Sequence, residues 1–308
     1  LFSEQRQSLN QLTHSQTFRK GIIWLVISTF AYGSLTVLIK WSISSGLNGE
    51  TALALRFTMA ALIWCAILVM RRQSIWPGAR LAGRAAAIGA LVYATNALAF
   101  YRGTGRVTGT LAAVTVAAVP VFVALLAWLM LGEKLTWRGW VALVMVVVGG
   151  VMLAGGLQGS ADLVGMLWLI GAIFLYSLYV VLSTPLTRAL SPSISAFYII
   201  SGAAVAYWLW GALSGSIDFG FAPSGWLAVA SMALISTVLA LSTFLAGSRI
   251  VGATRAAIVT GMEPLVGAGL SVILLGDRPS LLQIAGGALL IAAAVLVQRE
   301  RQASKESV

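Results

Sequence analysis

The sequence predicts an all-α integral membrane protein with ten transmembrane helices, arranged as two inverted five-helix repeats. Three observations predict it. Hydrophobic residues make up 59% of the 308 and charged residues only 9%, with a mean hydropathy of +0.93, whereas a soluble domain carries roughly a quarter charged residues. Apolar runs of spanning length, about 20 residues for a hydrocarbon core about 30 Å thick, recur along the whole chain. Finally, Thr108 to Lys134 and Gly252 to Arg278 echo each other at an offset of 144. Nine of the 28 positions from Val107 to Lys134 are identical at that offset, and Pro120 falls on Pro264, Gly132 on Gly276.

Residues 1–19 read as a polar cytoplasmic tail. They lack the apolar core and cleavage pattern of a signal peptide. Arg19 and Lys20 lead into a first span near 21–41, followed by spans near 50–71, 82–101, 107–131 and 137–156, each ended by Gly, Pro, Ser or charge. The first repeat covers 20–156. The polar break from Leu157 to Asp162 is the joint. A second repeat, 163–298, holds spans near 164–187, 193–213, 225–247, 252–275 and 281–298. The charged segment 299–308 is expected to be a disordered cytoplasmic tail.

The repeat extends to the first and sixth spans, where Gly21, Trp24, Leu25, Phe30, Tyr32, Val37 and Leu38 match Gly165, Trp168, Leu169, Phe174, Tyr176, Val181 and Leu182. Each half has an odd number of spans, so the second must enter the membrane upside down, a plan common in secondary transporters. Loop charges agree. Arg71, Arg72, Arg80 and Arg84 crowd one loop, while its counterpart, Gly215 to Ala228, has no arginine. Basic residues concentrate on the cytoplasmic side of membrane proteins, which puts both termini inside a bacterial-type inner membrane.

The net charge of +11 is therefore a loop signal and not a nucleic-acid footprint. Cys65 lies mid-span among apolar neighbours and reads as packing. His14 sits in the polar tail without metal-site partners. None of the four lysines follows a glycine, so no phosphate-binding P-loop points to an ATP-driven pump. Paired carboxylates and Ser-His sets are missing from the spans, which leaves no catalytic residues to name and no cofactor or metal to expect. Movement of a solute is the broad class that remains.

Ionisable groups inside a span are costly and tend to face the bundle interior or a water-filled cavity. Glu263 is the carboxylate set deepest in an apolar run. It reads either as a contact for solute or proton, or as polar packing in a helix broken by Pro264, which lacks an N–H and frees a carbonyl. Arg56 is a possible charge contact, although it could instead reach the external interface or pair with Glu50. Tyr32, Tyr93, Tyr176 and Tyr179 offer aromatic faces with polar tips to an organic solute. Ser28, Asn96, Thr115, Ser236 and Thr260 complete the candidate substrate-binding set, with helix-to-helix bonding as the alternative for each. Pro120 and Pro264 are candidate helix breaks and gates.

Taken together, Tyr32-Gly33-Ser34 through Lys40, Arg56-Phe57, Pro120 with Leu131-Gly132-Glu133-Lys134, and Glu263-Pro264 with Leu275-Gly276-Asp277-Arg278 resemble the EamA-type ten-helix transporters of the drug/metabolite transporter superfamily, over about residues 20–298. The resemblance implies two inverted five-helix repeats about a central cavity lined by the first, third, fourth, sixth, eighth and ninth helices. It also implies export of amino acids or other metabolites. The chain departs from the family pattern in Tyr32, usually Trp, and in Asp277, usually Glu. The expectation is a secondary transporter acting on a small-molecule substrate within the lipid bilayer, without nucleic acid or an obligate protein partner. A channel-like facilitator or a non-transporting scaffold is the alternative.

Overall fold

The computed structural model describes residues 2–107, 115–153, 162–266, 269 and 280–306, and the side chains of these except 2–15, 36 and 297–306. Among the described residues every regular element is a helix. The first span is split by a turn at Ser34 into α1 (Phe2–Gly33) and α2 (Leu35–Ser44). The first half continues with α3 (Gly49–Met70), α4 (Ala79–Thr104), α5 (Val119–Leu131) and α6 (Trp137–Leu153). The second half holds α7 (Leu163–Ala189), α8 (Pro192–Ser214), α9 (Ser224–Val251), α10 (Ala253–Thr260) and α11 (Leu281–Glu306). Six helical segments of 22 to 29 residues are long and apolar enough to cross a membrane; Thr115–Leu131, Trp137–Leu153 and Leu281–Leu296 are shorter apolar helices among the described residues.

Helix ends follow local chemistry. Asn48 and Asp162 accept hydrogen bonds from the backbone N–H of Thr51 (2.7 Å) and Val164 (2.9 Å), capping α3 and α7. The Gly165 and Val164 N–H groups, with the Arg106 guanidinium at 3.4 Å, hold the Asp162 carboxyl below the usual carboxylate range. Ser191 caps α8, with Pro192 at its first position.

The C-terminal end differs from the expected disordered tail, and the polar N-terminal stretch is helical as well. The backbone is helical from Phe2 into the first span, and α11 runs on to Glu306. Neither polar stretch, 2–20 or 299–306, contains Gly or Pro, and both carry Gln, Arg, Glu and Lys, which continue a helix at little cost. The joint at 157–161, the start of the fourth span and the end of the ninth lie outside the described residues.

The packing obeys a two-fold relation between the halves. α1 packs on α9 as α4 packs on α7, and α1 on α10 as α5 on α7; α3 pairs with α8, α5 with α10 and α6 with α11. Taken span by span, with α5 in the fourth and α10 in the ninth, shifting by the repeat exchanges the members of the first two sets and maps each of the last three pairs onto itself, as an inverted repeat requires. Single contacts repeat too. A Cβ on Gly103 would meet the Leu169 side chain at 2.8 Å, and one on Gly247 the Leu25 side chain at 2.6 Å; both pairs are related by the 144-residue offset. Ser28 Oγ donates to the Ala240 carbonyl (2.9 Å) and Asn96 Nδ2 to the Ala172 carbonyl (2.7 Å). Ser28 corresponds to Ala172 and Asn96 to Ala240, so one crossing is bonded twice, from opposite partners.

A carboxylate ties the halves at their arginine-rich face. Gly132 ends α5 in the left-handed conformation (φ 66°), the position a helix C-terminus gives to glycine. The next residue, Glu133, turns toward α10. Its carboxylate accepts from Thr254 Oγ1 (2.9 Å) and from the Ala253 and Thr254 N–H groups (3.3 Å each). Gly252 precedes α10 and has no side chain to cap it, so Glu133 supplies the cap from the other repeat. Glu133→Ala is expected to cost about 1–2 kcal/mol, as for other lost N-terminal caps. Glu133→Gln, which keeps an acceptor, should cost less. Thermal unfolding of the two purified variants checks this, and equal loss would mean that the cap contributes nothing.

Candidate functional site

The two proline helices are broken where they cross. Ala118 interrupts the fourth span two residues before Pro120, and Gly261 with Met262 interrupts the ninth just before Glu263 and Pro264. Proline removes one backbone donor and crowds the preceding turn, and both interruptions lie on that side. α1 meets the second break directly: a Cβ on Gly33 would meet the Val266 side chain at 2.7 Å and the Glu263 carbonyl at 3.1 Å. The counterpart of Gly33 is Ser177, which donates to Ile173 (2.8 Å) and lies 3.5 Å from the carbonyl of Val119, the counterpart of Glu263.

Two further helices are distorted at matching places. α4 makes a π turn over Ile88–Tyr93 and α9 over Leu234–Leu239. By the repeat offset Tyr93, the last residue of the first bulge, corresponds to Thr237, inside the second. A π turn widens the helix and re-aims the side chains around it, and such bulges are frequent at functional sites. The sequence reading expected uninterrupted helices here.

Aromatic side chains from five helices fill the centre. Ring centroids step from Phe244 to Tyr176 (6.4 Å), Tyr179 (5.9 Å), Tyr93 (4.9 Å), Phe57 (5.6 Å) and Tyr207 (5.7 Å). Tyr32 is within electrostatic range of Tyr93, Tyr176, Tyr179 and Glu263, and Tyr176 is also within range of Glu263. The candidate tyrosines and Glu263 are thus brought together. Phe57, Tyr207 and Phe244 were not expected; nothing in their apolar surroundings distinguishes them from packing residues.

The polar atoms of this centre are incompletely paired. The hydroxyls of Tyr32, Tyr176 and Tyr179 are buried and have no hydrogen-bond partner among the described residues. Leaving such a group unpaired costs about 1–3 kcal/mol, so three together mark a place built to hold something polar. Glu263 is half-buried and likewise makes no hydrogen bond or ion pair among the described residues. Tyr207, by contrast, donates to the Ala94 carbonyl at 2.7 Å.

Arg56 is placed differently from either expectation of an interfacial side chain. It is 3% exposed. Its Nε donates to Thr237 Oγ1 (2.7 Å), one Nη donates to the Ser236 carbonyl (3.1 Å), and the guanidinium lies 5.1 Å from the Phe57 ring centroid. Glu50 pairs with Arg102 at 2.7 Å instead. The cause is the π turn of α9, which presents an uncommitted carbonyl and a hydroxyl to the one cation on α3.

The remaining candidates lie at the margins. Ser236 is buried, 3.4 Å from Ser34. Thr260 bonds back to Ala256 (3.1 Å) in the last turn of α10, and Thr115 is buried in the turn before the first break. Ser28 and Asn96 are occupied in the helix crossings described above.

Comparison with known proteins fits this arrangement. The chain is 23% identical over 278 residues to a Bacillus subtilis (strain 168) protein named "Uncharacterized transporter YcbK", a match over 86% of this chain and 88% of that one. A solved crystal structure superposes with a TM-score of 0.75 at 17% identity, covering 90% of this chain and 96% of the other, which is a likeness of fold. The EamA-like transporter family model matches twice, at residues 19–155 and again at 163–299. With both halves matched, this multi-pass membrane protein belongs to the EamA-like transporter family, within the drug/metabolite transporter superfamily.

Proposed function

We propose that the protein is a secondary transporter that exports small organic metabolites, amino acids foremost, across a bacterial-type inner membrane by alternating access, with both termini in the cytoplasm. The observation that carries this reading is the central set of three unpartnered tyrosine hydroxyls and one unpaired carboxylate, gathered between two inverted repeats. A solute bound there would satisfy groups that the protein leaves unsatisfied. The helix breaks at Ala118 and Gly261 offer places where each repeat can bend, and the arginine-rich loops support the orientation.

Counterflow tests the reading. Proteoliposomes preloaded with unlabelled amino acid should accumulate the labelled compound transiently, in a saturable manner, and Glu263→Gln should lower that flux by about tenfold or more. A passive pore gives flux without trans-stimulation, and a scaffold gives none; either result would sink the proposal. Unchanged flux in Glu263→Gln would remove Glu263 from the site.

A further inference from the structure

Among the described residues the central site contains one unpaired acid, Glu263. Arg56, the buried cation of α3, has its Nε and one Nη bonded to the bulge of α9. Tyr32 and Tyr93 are each within electrostatic range of both Arg56 and Glu263. The Nε–Nη edge with which Arg56 would grip a carboxylate in bidentate fashion is thus already taken, and it is not free for the carboxylate of an α-amino acid held at Glu263. The residues 108–114 and 267–275 contain no Lys or Arg, and the cation of α10, Arg255, lies eight positions before Glu263 in the sequence.

Around Glu263 the surroundings suit positive charge. Tyr93, Tyr176 and Tyr179 form a connected set of rings, with centroids 4.9 and 5.9 Å apart, and Tyr32 closes on them from α1. Aromatic faces attract cations through their quadrupole, more strongly where water is excluded, and aromatic cages recognise ammonium groups in this way. The buried, unpartnered hydroxyls of Tyr32, Tyr176 and Tyr179 can accept from ammonium N–H groups. The two-fold counterpart of Glu263 is Val119, so the repeat offers one acid and one direction of approach.

We infer that this centre is an amine site: it takes a small molecule through a cationic nitrogen, paired with Glu263 inside the cage of Tyr32, Tyr93, Tyr176 and Tyr179, and does not require a carboxylate on that molecule. This inference rests on the transporter reading and narrows its substrates to amines, amino-acid amides and amino acids, all bound by the same group.

The test uses the purified full-length chain and compounds that differ only in their head groups. Ligand-induced thermal stabilisation and calorimetric affinity would be measured for L-phenylalanine, phenylalanine amide, phenethylamine and 3-phenylpropionate, and for the corresponding leucine series. The amide and the amine are expected to bind at least as tightly as the amino acid, and the acid lacking nitrogen about tenfold or more weakly, a difference of 1.4 kcal/mol. A requirement for the carboxylate, equal binding of the nitrogen-free acid, or failure of every amine in both series overturns the inference. Glu263→Gln should abolish amine binding and Glu263→Asp should retain part of it; the panel on the unaltered chain decides the matter even if these variants do not fold. Counterflow separates the two readings. Amine binding without flux of any solute removes the transporter and keeps the site, whereas flux of solutes without a cationic nitrogen keeps the transporter and removes the amine site.

Discussion

Gly89→Ala and Gly202→Ala are each expected to cost about 1–3 kcal/mol or more, the range for overpacking a close contact, and to lower the yield of monodisperse protein. A Cβ on Gly89 would run into the Ile199 carbonyl, and one on Gly202 into the Ala86 carbonyl. Both obstacles are backbone atoms, so no side-chain rotation relieves them and α4 must move away from α8. In lipid this contact has no hydrophobic driving force behind it and depends on close approach of small residues. Gly89 also lies in the π turn that ends at Tyr93, so separation of the helices would shift one wall of the tyrosine cage. Gly83→Ala, on the same helix but with nothing within 4 Å of the new methyl, is the control and should be neutral or stabilising by about 0.5–1 kcal/mol. Thermal unfolding of the three variants in one detergent checks the ranking. If Gly89→Ala melts with Gly83→Ala, the close crossing is absent.

These contacts show what a sequence of this kind discloses and what it withholds. Span positions are legible because a hydrocarbon core demands a fixed length of apolar chain, and the halves are legible because matched residues at a constant offset survive in both. The inversion follows from odd span number and from the arginines at 71, 72, 80 and 84. The π turns are not legible: Ile88–Tyr93 and Leu234–Leu239 are as apolar as any α-helical stretch, and a single wide turn shifts the side-chain period too little to read. Tyr32, Tyr93, Tyr176, Tyr179 and Glu263 could be selected for their polarity at membrane depth. Their convergence could not, because it depends on helices far apart in the chain. The same applies to Ser28 and Asn96, whose carbonyl partners lie 212 and 76 residues away, and to Glu133, which caps a helix of the other repeat.

Thr237→Val is expected to destabilise the protein by about 1.5–3 kcal/mol, the worth of a hydrogen bond to a charged group, and more than Arg56→Met does. The reason is the order in which the groups depend on each other. Arg56 is a buried cation without a carboxylate partner among the described residues, held by Thr237 Oγ1, the Ser236 carbonyl and the face of Phe57. Removing Thr237 Oγ1 leaves the charge in place with less to stabilise it. Removing the charge eliminates its desolvation cost and strands only one carbonyl, since the Thr237 hydroxyl still donates to Met232 (3.0 Å); replacing a buried charge by an apolar side chain of similar size is often neutral. Thr237→Val in an Arg56→Met background should therefore cost little, and chemical unfolding of the four proteins gives the coupling directly. Equal costs in the two backgrounds would show that the bond contributes nothing. The outcome bears on the asymmetry of the site. Across the two-fold, Arg56 corresponds to the fully buried Ile200 and Thr237 to Tyr93. One half uses its bulge to hold a cation in place, and the bulge of the other ends at a tyrosine within electrostatic range of Glu263. A strong coupling between Arg56 and Thr237 means that this arginine is committed to the framework, which leaves Glu263 as the unpaired charge among the described residues of the centre.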